Sequence, residues 1–450
     1  MKPKPVVRFA PSPTGLLHIG NARTVLINWL FARHHHGTFV LRLDDTDPGR
    51  SKEDYTNAIF QDLAWLGVTH DEFHAQSKRL ERYDLAADKL KAAGRLYPCY
   101  ETQLELDFKR RLQRSQGLPP IYDRAALKLS PADKKRYEDE GRKPHWRFLL
   151  KSEPVAWHDL SRGELRFERN TMSDPILLRE DGSPVYTLSS VVDDIELGVT
   201  HILRGEDHIS NTAVQIQLFA ALGADPHHFT FGHFPLLVGE HGESLSKRFG
   251  SLTLQSLREE GLESLAIASY LVKLGTSDDI APALSLEQLI EDFDIGHFGC
   301  SSPRFSPEML NRLNAKLLHH WSYEAVRPRL EELSLEKVDD VFWQAVCGNL
   351  NKLVDLRHFT EVCHGHVKPE IEDHDYIRTA LELLPSMPWD CKTWEKWTTL
   401  LREETGRRGR ELFMPLRLAL TGELHGPEMK DLLPLIGREK AARRLQGMTA

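Results

Sequence analysis

Long apolar runs are missing from this chain of 450 residues, and cysteine is scarce. Nowhere do about twenty consecutive apolar residues occur, which excludes an ordinary membrane-spanning helix. The opening residues MKPKPVVRFAPSPTG contain no long apolar segment, so we expect no secretory signal peptide. The 5 cysteines lie far apart and are odd in number, which argues against a disulfide framework. We therefore expect a cytoplasmic protein that does not contact a membrane.

Charge is unevenly distributed along the chain. The net charge of −8 at first argues against a nucleic-acid partner. The segment 108–151, however, holds 13 Lys or Arg residues against 5 Asp or Glu residues. A basic segment on an acidic protein is suited to bind phosphate groups. From charge alone, a solvated helical hairpin is still the commoner explanation.

The N-terminal part of the chain predicts a βαβ unit. Val6 to Ala10 is typical of a short strand, apolar residues recur at helical spacing from Asn21 to Arg33, and Thr38 to Leu43 has strand character. Two strands joined by one helix imply a parallel sheet with a right-handed crossover. Because ligands of such sheets bind beyond the carboxyl ends of the strands, segments 11–20 and 44–50 are expected at the mouth of a site.

A second α/β half follows farther along the chain. Tyr186 to Leu197 is predicted as a helix, and Thr200 to Leu203 and Phe229 to Phe231 as strands. Residues 85–185, between the two halves, have the character of an insertion, and the chain is helical from about residue 310 onward. We predict an α/β fold in which a Rossmann-like domain is split by an insertion and followed by an all-helical C-terminal region.

Two short segments have the composition of phosphate-binding loops. His18-Ile19-Gly20-Asn21 lies at the start of the first helix, where unpaired N–H groups suit an anion. Capping of that helix by His18 is the alternative, and for this segment alone the better one. Ser244-Leu245-Ser246-Lys247-Arg248 follows a Gly-rich turn and could close over a triphosphate, although an ordinary basic surface turn is far commoner.

Charged side chains gather at the predicted strand ends. Asp44-Asp45-Thr46-Asp47 suits an ammonium group or Mg²⁺, since both prefer hard oxygen ligands. The alternative is an acidic turn that caps the next helix, a role that Ser51 with Asp54 would also fit. Near the strand edges lie three guanidinium groups that could hold a carboxylate or form structural ion pairs: Arg8, Arg42 and Arg204.

In order and spacing, these segments resemble the glutamyl-tRNA synthetases, which are class I aminoacyl-tRNA synthetases with HIGH and KMSKS signatures. The resemblance rests on RFAPSPTGLLHIGNAR at 8–23, LRLDDTD at 41–47, YTLSSVVDD at 186–194, LRGEDH at 203–208 and LSKR at 245–248. It continues through GRRGRELFMPLRLALTG at 406–422 and HGPEMKDLLPLIGREKA at 425–441, which are similar to the anticodon-binding region of the family. The resemblance covers nearly the whole chain.

The resemblance implies roles for individual residues. The positions that hold the amino acid are matched by Arg8, Ser12, Asp44, Tyr186 and Arg204, with Arg204 on the side-chain carboxylate and Arg8 and Asp44 near its polar ends. The positions that bind ATP are matched by His18, Gly20, Asp207 and Lys247, and the implied catalytic residues are His18 and Lys247. The HIGH-type motif consists of Pro11, Ser12, Pro13, Thr14, Gly15, Leu16, Leu17, His18, Ile19, Gly20 and Asn21. The KMSKS-type motif consists of Ser244, Leu245, Ser246, Lys247 and Arg248.

The resemblance also implies a reaction, partners and domains. L-glutamate attacks ATP, which carries Mg²⁺, to give glutamyl-adenylate and pyrophosphate, and the 2′-OH of the terminal adenosine of tRNA then takes the glutamyl group. We expect a monomer that charges tRNA-Glu, tRNA-Gln or both. The implied domains are the two halves of the catalytic domain at 1–84 and 186–240, an acceptor-end-binding insertion at 85–185, a KMSKS-type loop and stem-contact region at 241–312, and a helical anticodon-binding domain at 313–450.

Three features depart from the family pattern. Asp44 stands where the family usually has Glu, and Ser244 replaces the first Lys of KMSKS, which leaves Lys247 to carry the local positive charge. Some members bind zinc in the insertion through closely spaced Cys and His residues. This chain has only Cys99 there, so we expect no structural zinc and no metal site.

Other functions fit the same motifs less well. An adenylate-forming ligase of the same superfamily with another acceptor has no reason to carry about 140 helical residues at its C-terminus. A catalytically silent tRNA-binding protein would be expected to lack His18 or Lys247. A glutaminyl-tRNA synthetase usually carries a β-barrel anticodon domain instead of helices. A paralogue that charges tRNA-Gln differs only in its acceptor and stays open.

Overall fold

A computed structural model describes residues 4–243, 252–335 and 337–450 of the chain. The chain divides into two compact units, Met1–Glu259 with Ile267–Ser306 and Glu260–Ala266 with Pro307–Ala450. The five domain ranges given above remain predictions. Among the described residues, no helix combines the length and the apolar character that a bilayer crossing needs.

The strands form three sheets in the first unit. A parallel sheet contains, in spatial order, β1 (Val6–Phe9), β2 (Thr38–Leu43) and β3 (Glu72–Ala75). An antiparallel sheet contains β4 (Leu96–Cys99), β5 (His145–Phe148) and β8 (Ile176–Leu178). The third sheet consists of β6 (Val155–Asp159), β7 (Gly163–Phe167), β9 (His201–Gly205) and β10 (Thr230–Phe234). Its spatial order is β7-β6-β10-β9, and β10 is parallel to both of its neighbours.

Helices, turns and loops connect these strands. Up to residue 306 they are α1 (Ile19–His34), α2 (Glu53–Trp65), α3 (Leu80–Ala92), α4 (Gln103–Ser115), α5 (Pro131–Asp139), α6 (Tyr186–Glu196), α7 (Ile209–Ala221), α8 (Leu254–Glu259), α9 (Ser264–Lys273) and α10 (Leu286–Glu291). Beyond residue 306 they are α11 (Pro307–His320), α12 (Tyr323–Glu332), α13 (Asp340–Val346), α14 (Leu356–His364), α15 (His374–Glu382), α16 (Thr393–Thr405), α17 (Arg410–Thr421), α18 (Met429–Ile436) and α19 (Arg438–Leu445).

The predicted βαβ unit is confirmed. β1 and β2 pair in parallel with Val6 opposite Thr38, and α1 runs between them. The turn between α1 and β2 requires a glycine at position 37, because a Cβ there would collide with the backbone carbonyl of Pro5. Since parallel strands point the same way, the segments that follow β1 and β2 emerge at one edge of the sheet.

The second α/β half lies beside β1. The N–H of Thr200 donates to the Val6 carbonyl over 2.9 Å, and the Val6 N–H donates to Thr200 Oγ1 over 2.9 Å. Thr200 directly precedes β9, so β9 starts next to the start of β1. The carboxyl ends of both strands therefore lie at the same edge, where their following loops can form one site.

Buried apolar clusters stabilise each of the two units. In the first unit, Phe148 and Trp157 are buried in one cluster, which they share with residues of α6, α7 and β9, and Trp146 packs against it. In the second unit, the described residues contain helices without strands, which confirms the predicted helical C-terminal region. Its fully buried Trp343 and Trp397 direct their indole N–H groups to backbone carbonyls at 2.9 and 3.0 Å. A polar atom of a buried indole needs such a partner.

Candidate active site

A cavity of about 410 Å³ lies at the carboxyl ends of β1 and β9. It is lined by eight of the residues proposed from the sequence, namely Arg8, Ser12, His18, Gly20, Asp44, Tyr186, Arg204 and Asp207. Of the HIGH-type motif, Pro11 and Asn21 also line the cavity. The motif residues that are not among its lining are Pro13, Thr14, Gly15, Leu16, Leu17 and Ile19. The KMSKS-type motif, Ser244 to Arg248 with Lys247, lies outside the described residues.

His18 caps α1 and also reaches the cavity. Its Nδ1 accepts hydrogen bonds from the backbone N–H groups of Gly20 and Asn21 at 3.0 and 3.4 Å, and the Asn21 side chain accepts from the His18 N–H at 3.2 Å. Burial lowers the pKa of His18 below its ordinary value of 6.5, so the ring is neutral at pH 7. Because Nδ1 is an acceptor, the single ring proton is on Nε2, which leaves His18 with one N–H to donate.

Gly20 is required by the position of the His18 ring. A Cβ at Gly20 would lie 2.8 Å from Cε1 and 3.0 Å from Nδ1 of His18, closer than real Cβ atoms approach. Any larger residue at this position therefore displaces the ring from its capping position. The capping role and the glycine are thus parts of one local arrangement at the start of α1.

Arg42 forms ion pairs with three carboxylates. Arg42 is fully buried and donates to Asp44 Oδ1 and Oδ2 at 2.7 and 3.2 Å and to Asp194 Oδ1 at 3.0 Å, and its Nε lies 3.5 Å from Asp193 Oδ2. Arg8 also binds Asp194, with Nε 3.1 Å from Oδ1. These ion pairs orient Arg8 and Asp44 at the cavity wall.

The alternative role of the acidic segment as a helix cap is wrong. The residue that precedes α2 is Lys52, and no side chain makes a capping hydrogen bond there. Asp45 instead accepts from the N–H and hydroxyl of Ser77 at 2.8 and 2.6 Å, and Asp47 pairs with Arg50 at 2.9 Å. Only Asp44 of this segment lines the cavity, because successive residues after a strand point in different directions.

Arg204 is a buried cation whose hydrogen-bond partners are all neutral. It is 5% exposed and donates to Tyr186 Oη at 2.9 Å and to Thr212 Oγ1 and Gln215 Oε1, both at 2.6 Å. Its Nε donates to Nε2 of His233 at 3.4 Å. Among the described residues, no carboxylate lies within ion-pair distance of its guanidinium group. Burial accordingly lowers the pKa of Arg204.

One N–H of Arg204 is left over for a ligand. A guanidinium group has five N–H donors, and the four bonds above use one from Nε, one from Nη1 and both from Nη2. The remaining donor belongs to Nη1, the atom that also binds the cavity residue Tyr186. An anionic group in the cavity would supply the counter-charge that the protein itself does not provide.

His208 lines the cavity but was not proposed as a site residue from the sequence. Its ring lies 5.6 Å from the ring of Tyr186, measured between centroids. Burial, followed by the nearby charge of Arg204, lowers the pKa of His208 to about 4, so this ring is also neutral at pH 7. The sequence offered a sign that His208 belongs to the site, because it follows Asp207 directly in the LRGEDH segment.

Three further residues near Arg204 were also missed, and they do not line the cavity. Thr212 and Gln215 lie one helical turn apart on α7, and His233 interrupts the apolar β10. A histidine within the otherwise apolar sequence TFGHF was the one sign that this strand carries a polar contact. Among the described residues, no group of three or more His, Cys, Asp or Glu side chains is arranged to hold a metal.

The chain matches two known protein families over most of its length. The family model of the catalytic domain of class I tRNA synthetases (E and Q) matches residues 4–312, and that of the anticodon binding domain matches residues 358–449. The chain is 53% identical over 451 residues to glutamate–tRNA ligase 2 of Methylorubrum populi, with both chains covered completely. It is also 53% identical to glutamate–tRNA ligase of Azospirillum brasilense, with 99% of each chain covered.

A solved structure agrees with these relatives. The crystal structure of a glutamate tRNA ligase from Elizabethkingia meningosepticum in complex with its amino acid is 28% identical to this chain. It superposes with a TM-score of 0.84 over 99% of both chains. The predicted fold class and the predicted family are confirmed. The chain belongs to the glutamate–tRNA ligases, the class I tRNA synthetases that join glutamate to tRNA.

Proposed function

We propose that the cavity at the ends of β1 and β9 activates L-glutamate with ATP and then transfers the glutamyl group to tRNA. In the first step, an oxygen of the glutamate α-carboxylate bonds to the α-phosphorus of ATP. The bond from that phosphorus to the bridging oxygen breaks, and pyrophosphate leaves. In the second step, the 2′-hydroxyl of the terminal adenosine attacks the glutamyl carbonyl carbon, and AMP leaves as the new ester forms.

The observation that carries this proposal is the uncompensated charge of Arg204. Its guanidinium group is buried against neutral acceptors, and the spare Nη1 donor belongs to a residue that lines the cavity. The side-chain carboxylate of glutamate carries the charge that this position needs, whereas the amide of glutamine would leave the cation unpaired. A site built for a charged partner rejects the neutral analogue because the buried charge is then left without compensation.

The remaining lining residues are assigned to the other parts of the two substrates. His18 donates its Nε2–H to a phosphate oxygen of ATP, and Gly20 lets the nucleotide approach the backbone at the start of α1. Asp44 carries the negative charge that suits the ammonium group of glutamate, with Arg8 and Ser12 beside it. Asp207, which is exposed, is assigned to the nucleotide side of the cavity.

The role of the KMSKS-type segment is proposed from the sequence alone. Lys247 is proposed to neutralise the charge that develops on the leaving pyrophosphate, because Ser244 has removed the other lysine of the motif. We propose further that Mg²⁺ enters with ATP, that no structural zinc is needed, and that the enzyme acts as a cytoplasmic monomer. The acceptor is proposed to be tRNA-Glu, with tRNA-Gln as a second possible acceptor.

The test is pyrophosphate exchange in the presence of tRNA, with glutamate and glutamine as separate substrates. We expect exchange with glutamate and little exchange with glutamine. Lys247→Ala should lower kcat of adenylate formation by about a hundredfold to a thousandfold with little change in KM, as for other transition-state donors. Comparable exchange with both amino acids would refute the assignment of Arg204.

A second assay defines the acceptor. Purified tRNA-Glu and tRNA-Gln are charged separately with labelled glutamate, and kcat/KM is compared. Charging of tRNA-Gln alone would identify a paralogue specialised for that acceptor, and charging of neither would refute the ligase function. Metal analysis of the purified protein accompanies this assay, since about one zinc per chain would contradict the zinc-free insertion.

A further inference from the structure

A chain of buried polar groups continues behind Arg204, away from the cavity. Nε2 of His233 accepts from Arg204 Nε at 3.4 Å, and Nδ1 of the same ring lies 2.5 Å from Oδ2 of Asp159. Both His233 and Asp159 are 0% exposed. Neither residue lines the cavity, so neither can contact a substrate directly.

Asp159 is itself rigidly held. Its Oδ1 accepts from the backbone N–H groups of Ser161, Arg162 and His233, each at 3.1 Å. These bonds and the one from the His233 side chain lower the pKa of Asp159 although burial opposes the shift, so the carboxylate is ionised at pH 7. Its Oδ2 therefore remains an acceptor toward the His233 ring.

The carboxylate determines the tautomer of His233. Burial lowers the pKa of His233, so the ring carries one proton at pH 7. The ring proton is on Nδ1, which donates to Oδ2 of Asp159. Nε2 is therefore unprotonated and can accept from Arg204. With the proton on Nε2 instead, two N–H donors would face each other at the 3.4 Å contact.

The same nitrogen also influences a second ligand of the guanidinium group. Nε2 of His233 lies 2.9 Å from Thr212 Oγ1, and that oxygen accepts from Arg204 Nη2 at 2.6 Å. Unprotonated Nε2 has a single lone pair, which the Thr212 hydroxyl at 2.9 Å and Arg204 Nε at 3.4 Å share, and the His208 carbonyl at 3.3 Å is a second acceptor for that hydroxyl. The unprotonated nitrogen thus contacts both Arg204 and the hydroxyl oxygen that accepts from Arg204.

We propose that Asp159 and His233 are positioning residues for glutamate recognition: Asp159 holds His233 in the tautomer that accepts from Arg204, and His233 thereby orients the Arg204 guanidinium group toward the cavity. This inference rests on the proposed function of Arg204 as the partner of the glutamate side chain. It predicts that substitutions in a buried pair outside the cavity change the affinity for the amino acid and leave the affinity for ATP nearly unchanged.

The decisive variant is Asp159→Asn in the full-length enzyme. Asparagine can keep the backbone contacts through Oδ1, while its Nδ2 donates to Nδ1 of His233 and moves the ring proton to Nε2. We expect KM for glutamate to rise by about tenfold to a hundredfold, the range for disturbing a hydrogen bond to a charged group. KM for ATP should stay within about threefold of wild type, since the start of α1 is untouched.

Rescue by a second substitution separates the tautomer from simple packing. In His233→Gln, the side-chain Oε1 can take the place of Nε2 as acceptor without any tautomer. We expect His233→Gln to retain KM for glutamate within a few-fold of wild type, and His233→Leu to raise it as Asp159→Asn does. In the double variant Asp159→Asn/His233→Gln, the Asn substitution should raise KM for glutamate little further, because no imidazole remains whose tautomer could change.

A matched control lies on the same β-hairpin. His158 and Glu164 form an exposed pair at 2.9 Å, with side chains 67% and 79% exposed. Glu164→Gln makes the same acid-to-amide change beside a histidine and should leave both KM values unchanged. Melting temperatures of all variants show which of them are folded at the assay temperature.

The outcomes distinguish this inference from the function on which it rests. If wild-type enzyme does not activate glutamate, the proposed function fails. If wild type is active and folded Asp159→Asn keeps the wild-type KM for glutamate, the positioning role is refuted while the function stands. If Asp159→Asn does not fold, the comparison moves to His233→Gln and His233→Leu, and equal KM values for glutamate in these two overturn the inference.

Discussion

Replacement of Arg204 by lysine tests the central contact of the proposed site. Lysine keeps the positive charge but has three N–H donors in place of five. Arg204 already uses four donors on Tyr186, Thr212, Gln215 and His233, and the fifth is assigned to glutamate. Arg204→Lys therefore loses at least two of these five hydrogen bonds, whatever position the ammonium group takes.

The expected size follows from that count. A hydrogen bond to a charged group contributes about 1.5–3 kcal/mol, and loss of the one bond that is assigned to glutamate should cost that amount in binding glutamate and its transition state. With about 1.4 kcal/mol for each factor of ten, kcat/KM for glutamate should fall by about tenfold to a hundredfold. The preference for glutamate over glutamine should fall with it, because the bond that distinguishes the two substrates is the one disturbed.

The assay is pyrophosphate exchange with tRNA present, measured against glutamate, glutamine and ATP separately. Arg33→Lys is the matched control, since Arg33 pairs with Asp71 at 2.8 Å in the same unit and does not line the cavity. We expect this control to retain wild-type kinetics. A folded Arg204→Lys enzyme with unchanged kcat/KM and unchanged preference would show that Arg204 does not face the substrate carboxylate.

Three further substitutions test parts of the protein that do not contact Arg204. Gly20→Ala should displace His18 and raise KM for ATP several-fold at unchanged or higher melting temperature, because alanine favours a helix by about 1 kcal/mol; an unchanged KM would contradict the His18 role. Burial raises the pKa of Asp62 from 3.8 to about 6, so the folded state binds a proton that the unfolded chain releases, and the contribution of Asp62 to the free energy of unfolding should decrease as pH rises from about 4 to 6. Asp62→Asn should remove this decrease and stabilise the protein by up to ~3 kcal/mol at pH 8 in urea unfolding, whereas a parallel pH profile would refute it. Arg444 is 0% exposed and donates to the carbonyls of Ala450, Val362 and Leu420 at 2.7, 2.8 and 2.6 Å, so Arg444→Met should cost about 3 kcal/mol or more, which equal urea midpoints would disprove.

Local sequence patterns predicted the first βαβ unit, the second α/β half and the helical C-terminal region. The apolar run from Val6 to Ala10, the helical spacing from Asn21 to Arg33 and the strand character of Thr38 to Leu43 were enough to predict the βαβ unit, because these signals act over neighbouring residues. The helical C-terminal region was predicted for the same reason. The pairing of β6 with β10 was not predicted, since it joins segments about seventy residues apart through backbone groups that carry no side-chain signature.

The candidate residues of the site could be chosen from the sequence, because their motifs lie where strands and helices end. The partners of the charged side chains could not be assigned from the sequence. From the residues alone, Arg8, Arg42 and Arg204 were each open to a role in an ion pair or in ligand binding, and only the family resemblance pointed to Arg204. The structure distinguishes them, since Arg8 and Arg42 bind Asp194 while Arg204 meets only neutral groups.

The sequence by itself thus determined which segments form the catalytic architecture and which residue types reach the ends of the strands. Only the tertiary structure decided which guanidinium group keeps an uncompensated charge, and it did so through residues far along the chain such as Asp194, Gln215 and His233. The physical reason is that an ionic interaction depends on distance and burial in space, whereas periodicity and composition report only on neighbours in the chain.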